Sequence, residues 1–203
     1  MADMETVAKS SVVNYFDPSQ EKSTVRLAEG LYPVHVTKCA SQIRKVRGKY
    51  SARVYNFTVK VAQDARDVTY QIEDINGEMK DVNGGEYIGR EIRSQGIFFF
   101  LTPDVGDDFE ANAGGNRKYM ETIEALNIEC PLIDIDIDGQ KKQVKSLPEL
   151  SDSDFLGIPI LAQIGLGKPW KGKDGVERQY FEVKSINKRK GEKIDVEAED
   201  LPF

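Results

Sequence analysis

Histidine, cysteine and tryptophan are nearly missing from this chain of 203 residues: it has one histidine, two cysteines and one tryptophan. With His35 alone, a histidine pair cannot ligate a metal, and imidazole acid–base chemistry would have to run through that one residue. Cys39 and Cys130 lie far apart and form no Cys-x-x-Cys pair. Neither a disulfide framework nor a zinc knuckle is written here, and such sparse cysteine suits a reducing cytoplasm. No apolar run approaches the roughly 18 residues of a membrane-spanning helix. Met1–Ser10 lacks an apolar segment, so it is not expected to act as a signal peptide. Phosphate-cradling glycine loops and nucleophile elbows are also missing.

What is present is a charged globular chain, 39% hydrophobic and 31% charged. Its length suits one domain with insertions and a core that needs no metal or disulfide. The net charge of −6, taken as a total, opposes an anionic partner. Yet four of the acids, Asp195, Glu197, Glu199 and Asp200, crowd into residues 194–203, and without them the charge falls from −6 to −2. Bases and acids are clustered, and clusters say more about partners than totals do.

Residues 1–24 read as a polar N-terminal arm. Leu31–Cys39 alternates apolar and polar, as does Tyr50–Val61, and both are expected strands. Residues 63–86 carry Asn76-Gly77 and Asn83-Gly84-Gly85 and predict an inserted hairpin or long loop. Tyr87–Leu101 is expected to be a third strand, ended by Thr102-Pro103. Tyr119, Ile123 and Leu126 recur at helical spacing within Asn116–Ile128. Residues 132–146 suggest an extra hairpin. Ile158–Gly167 and Gln179–Lys188 complete the set, the latter with one slip of parity. Strand, strand, strand, helix, strand, strand is the order of a five-stranded OB-type barrel. The expectation is a mainly β domain over residues 25–193, followed by an acidic tail at 194–203.

Two loops carry cations beside aromatics. Between the first two strands stand Arg44, Lys45, Arg47 and Lys49, followed by Tyr50 and Arg53. Between the last two stand Lys168, Trp170, Lys171, Lys173, Arg178 and Tyr180. Phosphates call for cations along a backbone path, and bases call for flat rings to stack on. In an OB fold these two loops flank the binding face. Tyr55, and the third-strand residues Tyr87, Arg90 and Arg93, are further candidates for that face.

The chain ends Ala198-Glu199-Asp200-Leu201-Pro202-Phe203. This tip resembles the acidic, Pro-Phe-terminated tip of bacterial single-stranded DNA-binding proteins. The body resembles the single-stranded DNA-binding proteins of bacteriophages. The similarity rests on Glu29-Gly30-Leu31-Tyr32-Pro33-Val34-His35-Val36, Phe57-Thr58-Val59-Lys60-Val61, Gly85-Glu86-Tyr87-Ile88-Gly89-Arg90 and Leu156-Gly157-Ile158-Pro159-Ile160. These stretches fall in order across residues 29–190. The resemblance implies a protein that coats single strands in phage replication or recombination. It further implies that Glu199, Asp200, Leu201, Pro202 and Phe203 recruit partner proteins and compete with DNA. The chain departs from these relatives in lacking a long glycine-rich linker, and the stretches at 64–86 and 104–154 have no clear counterpart.

No enzymatic activity, metal or cofactor is expected. Two other readings stand beside the main one. One is a tail-bearing adaptor that does not bind DNA. The other is a metal-dependent nuclease using Asp134, Asp136 and Asp138, which share one parity of a strand. Nothing in the residues separates DNA from RNA, and the number of protomers stays open.

Overall fold

The computed structural model describes residues 26–48, 50–73, 76–101, 114–137 and 139–196. The N-terminal arm, Lys49, Asp138 and the tip from Glu199 to Phe203 lie outside them. The architecture is mainly β, with one α-helix among the described residues. No helix among them is long and apolar enough to cross a membrane.

A six-stranded sheet organises the fold. β1 (Gly30–Val46) and β2 (Tyr50–Val61) form a long antiparallel hairpin. Their register shifts between Val36 and Lys38. One residue of slip exchanges the two faces of a strand, so the bulge keeps apolar residues inward on both halves of β1. Tyr32, Val34 and Val36 point to the core before it, and Cys39 packs against the core after it. β9 (Pro159–Leu166) lies along the other side of β1, and β12 (Phe181–Lys188) along β9. The parity slip in the last strand is a register shift between Val183 and Ser185.

The third strand differs from expectation. It begins later and is broken into β5 (Glu91–Arg93) and β6 (Ile97–Phe100), both paired with β2. Gly84–Tyr87 is a 3-10 turn instead. Asn83 caps it by accepting from the Gly85 amide at 2.7 Å, a local bond that competes with strand pairing. Gly84 packs so tightly that a Cβ would stand 2.1 Å from the Ala65 carbonyl oxygen. At the break, Ser94 makes a parallel bridge to Val183 of β12, linking strands from opposite ends of the sheet order.

Three two-stranded hairpins complete the β structure among the described residues: β3 (Thr69–Glu73) with β4 (Met79–Asn83), β7 (Leu132–Ile137) with β8 (Gln140–Lys145), and β10 (Trp170–Lys171) with β11 (Glu177–Arg178). The helix α1 (Arg117–Ala125) buries Tyr119 and Ile123, and Leu126 is buried just beyond it. Asn116 ties the helix start to β6, accepting from the Phe100 amide at 2.7 Å.

The core is rich in rings. Tyr32 and Tyr70 stack at 4.0 Å, with Tyr87 edge-on to both. Phe99 stacks on Tyr119 at 4.4 Å, and Tyr119 on Tyr55 at 5.5 Å. Each such pair contributes about 0.5–1.5 kcal/mol beyond area burial. Buried phenols need acceptors, and they find backbone carbonyls: Tyr32 donates to Ala28 at 3.0 Å and Tyr119 to Pro148 at 2.7 Å.

Candidate nucleic-acid interface

The last hairpin carries the densest candidate cluster. Trp170 opens β10 and lies 48% exposed, and Tyr180 just past β11 is 59% exposed. Their ring centroids are 6.2 Å apart. The Arg178 guanidinium sits over the indole, 5.7 Å from its centroid. Trp170 and Arg178 are direct partners in the register, so the contact follows from the turn at Asp174-Gly175. Gly175 adopts φ +77, which that turn requires. Asp174 accepts two hydrogen bonds from Arg178, one at 2.8 Å. These bonds, with one from the Val176 amide, hold the Asp174 carboxyl below its usual range. The same contact raises Arg178 further. Arg178 therefore braces the hairpin and lies over its ring. Lys168, Lys171 and Lys173 are exposed around it.

A second cluster lies on the β1–β2 hairpin. Arg44, Lys45 and Arg47 are exposed, and Tyr50 is half-buried. Arg47 takes φ 53 and Gly48 φ 69 at the tip. Register places Arg44, Ala52 and Phe100 in one row across β1, β2 and β6, and Gln42, Val54 and Phe98 in the next. Direct partners share a face, so Arg44, Phe98 and Phe100 stand on one side of the sheet. Phe98 is 39% exposed and stacks on Phe100 at 6.4 Å. Phe100 meets Tyr50 edge-on at 6.2 Å. Sequence reasoning missed Phe98 and Phe100, because Ile97–Leu101 reads as one unbroken apolar run. The period-2 rule held the signal: with Phe99 inward, its two neighbours must face outward.

Several candidates belong elsewhere. Tyr55 is fully buried, donates to the Leu150 carbonyl at 2.8 Å and packs on Tyr119 and Phe155. No base can reach it, which corrects its expected place on the face. Tyr87 is fully buried too, and donates to the Arg26 carbonyl at 3.1 Å. Tyr55 lies on the apolar parity of β2 and Tyr87 ends a 3-10 turn; in both places a tyrosine is drawn inward if a carbonyl waits for its hydroxyl. Arg53 bonds Glu149 at 2.6 Å and Ser41 at 3.2 Å. Its charge is answered within the protein, so it serves as a clamp. Arg90 lies over the Tyr87 ring at 5.2 Å. Arg93 is exposed on β5, opposite Thr58.

The two clusters sit at opposite ends of β1 along its length. The Trp170 hairpin follows the end of β9, where Ile164 pairs with Gly30, and the Arg44 cluster lies where β1 turns into β2. Between them the outer parity of β2 presents Asn56, which is exposed, and Thr58, which is half-buried.

The carboxylates Asp134 and Asp136 are exposed on β7, opposite Gln143 and Lys141. Asp136 accepts from the Gly139 amide at 2.8 Å and so caps its own turn. Among the described residues, no three His, Cys, Asp or Glu side chains gather to hold a metal. His35 pairs with Lys60 in register and lines an open depression of 680 Å³ with Asp64 and Arg189, which are ion-paired.

Comparison with protein-family models and with the curated proteins gives no match.

Proposed function

We propose that this chain is a non-enzymatic protein that binds single-stranded DNA with little sequence preference. The observation that carries the reading is the exposed Trp170, placed beside Tyr180, under Arg178 and among three lysines. An aromatic in that setting gains little from its own fold and offers a stacking surface worth about 1–3 kcal/mol per base. The Arg44, Tyr50, Phe98 and Phe100 patch supplies a second surface of the same kind. Stacking tolerates any base, because every base has a π-face.

We further read the sheet as an OB-type barrel. Support comes from the order β12-β9-β1-β2-β5 and from the bridge between Ser94 and Val183. In that reading the two basic hairpins are the loops that flank the strand. The acidic tip from Glu199 to Phe203 competes for the same cations and recruits replication or recombination proteins.

The test is anisotropy of a labelled oligo-dT titrated with the full chain at two salt concentrations, repeated with duplex and with oligo-rU. Tight single-strand binding that weakens with salt and exceeds duplex binding is expected. No binding at low salt, including by a chain ending at Val196, would remove the reading.

A further inference from the structure

The β7–β8 hairpin is unlike the rest of the molecule. Its strands pair only with each other among the described residues. The residues of Leu132–Asp136 and Gln140–Lys145 are all exposed or half-buried. At its base Ser146 donates to the Pro131 carbonyl at 2.8 Å, and Lys145 is ion-paired with Glu124 of α1. Beyond that base, none of its described apolar side chains is among those packed on the core. Isolated two-stranded hairpins are marginally stable in water. This one also holds apolar side chains in solvent: Leu132 is 59% exposed and Ile133 43%. Ile133 and Ile135 share a face with Val144, their side chains alternating with Asp134 and Asp136.

The hairpin's two edges carry opposite charge. β7 bears Asp134 and Asp136 and no base; β8 bears Lys141, Lys142 and Lys145 and no acid. Free strand edges are templates for a further strand. A β7 edge meeting another β7 edge sets carboxylates against carboxylates, and β8 against β8 sets ammonium against ammonium. Only β7 against β8 brings opposite charges together. The occupant that fits both edges at once is therefore a second copy of this chain.

We propose that the β7–β8 hairpin is a self-association arm, in which the acidic β7 edge of one copy pairs with the basic β8 edge of the next. Such a contact is head-to-tail. It leaves one edge of each kind unsatisfied after every addition, so it builds arrays instead of stopping at two. The association needs no nucleic acid. Its consequence, contiguous coating of a long strand, rests on the strand-binding reading.

The experiment is sedimentation velocity of the full chain over a range of concentration, with two charge-reversed forms. One carries Lys141→Glu and Lys142→Glu, the other Asp134→Lys and Asp136→Lys. The parent is expected to grow beyond dimers as concentration rises. Each reversed form sets like charges edge to edge and is expected to associate about tenfold more weakly or not at all. An equimolar mixture restores opposite charges at both junctions and is expected to recover assembly. The recovery also shows that each form is folded. A parent that stays monomeric, or a dimer indifferent to all four substitutions, overturns the proposal. Affinity for an oligo-dT short enough for one copy is read in parallel and is expected to be unchanged. A failure of assembly then counts against the arm, and a failure of that affinity against strand binding.

Discussion

Trp170 and Tyr55 are both large rings, and their burial assigns them opposite work. Trp170→Ala removes a half-exposed ring, so the melting temperature is expected to hold while oligo-dT affinity falls by about 1–3 kcal/mol. Thermal melts and anisotropy on the same variant check this. A melted domain would place the indole in the core. Tyr55→Phe keeps the packing but strands the Leu150 carbonyl without its donor. It is expected to cost about 1–3 kcal/mol of stability in urea titration and to leave DNA affinity unchanged. Cys39 is another residue set by burial, which, with Asp152 nearby, pushes its thiol up to about 12. Its thiolate is scarce near neutrality, so slow alkylation in the native protein is expected, quickening on denaturation.

At the scale of the element, β6 decides what its three phenylalanines do. Pairing with β2 turns Phe99 onto Tyr119 and leaves Phe98 and Phe100 outside with Arg44. Phe99→Ala is therefore expected to destabilise by about 3–5 kcal/mol. Phe98→Ala is expected to leave stability nearly unchanged and to weaken single-strand binding; equal effects of the two on binding would sink the outward patch. The turn before β5 offers a similar contrast. Gly84 tolerates no side chain against Ala65, and Tyr87, expected to open the third strand, ends this 3-10 turn.

For the whole molecule, charge and ionisation set the conditions under which it works. Each lysine or arginine of the two basic hairpins that meets a phosphate should add about 0.7 to the salt slope on a single strand. Truncation after Val196 removes Glu197, Glu199 and Asp200 and is expected to tighten binding, because a competing polyanion is lost. Weaker or equal binding by that chain would refute competition by the tail. Alkaline stability follows from the buried phenols. Burial raises Tyr32, Tyr55 and Tyr70 above the ordinary tyrosine range. The unfolded chain would release those protons near pH ~10 while the folded one holds them. Stability is thus fully present below about pH 10 and is lost above it. Tyrosinate absorbance and circular dichroism, followed together, should change in one transition.

Sequence alone determined the periodic features: the alternation of β1, β2, β9 and β12, the helical spacing of Tyr119, Ile123 and Leu126, and the two basic, aromatic-bearing turns. These are local, because residue spacing translates directly into one face of an element. The inserted hairpins announced themselves through Asn-Gly and Asp-Gly turns for the same reason. Tertiary structure decided which tyrosines face solvent and which face carbonyls. Tyr55 and Tyr87 went inward because Leu150 and Arg26, distant in the chain, supplied acceptors. It also decided that Arg53 would answer Glu149, that Phe98 would stand beside Arg44, and that β7 and β8 would pair with no other strand among the described residues. Burial and charge pairing depend on partners remote in sequence, and only the folded chain brings those partners together.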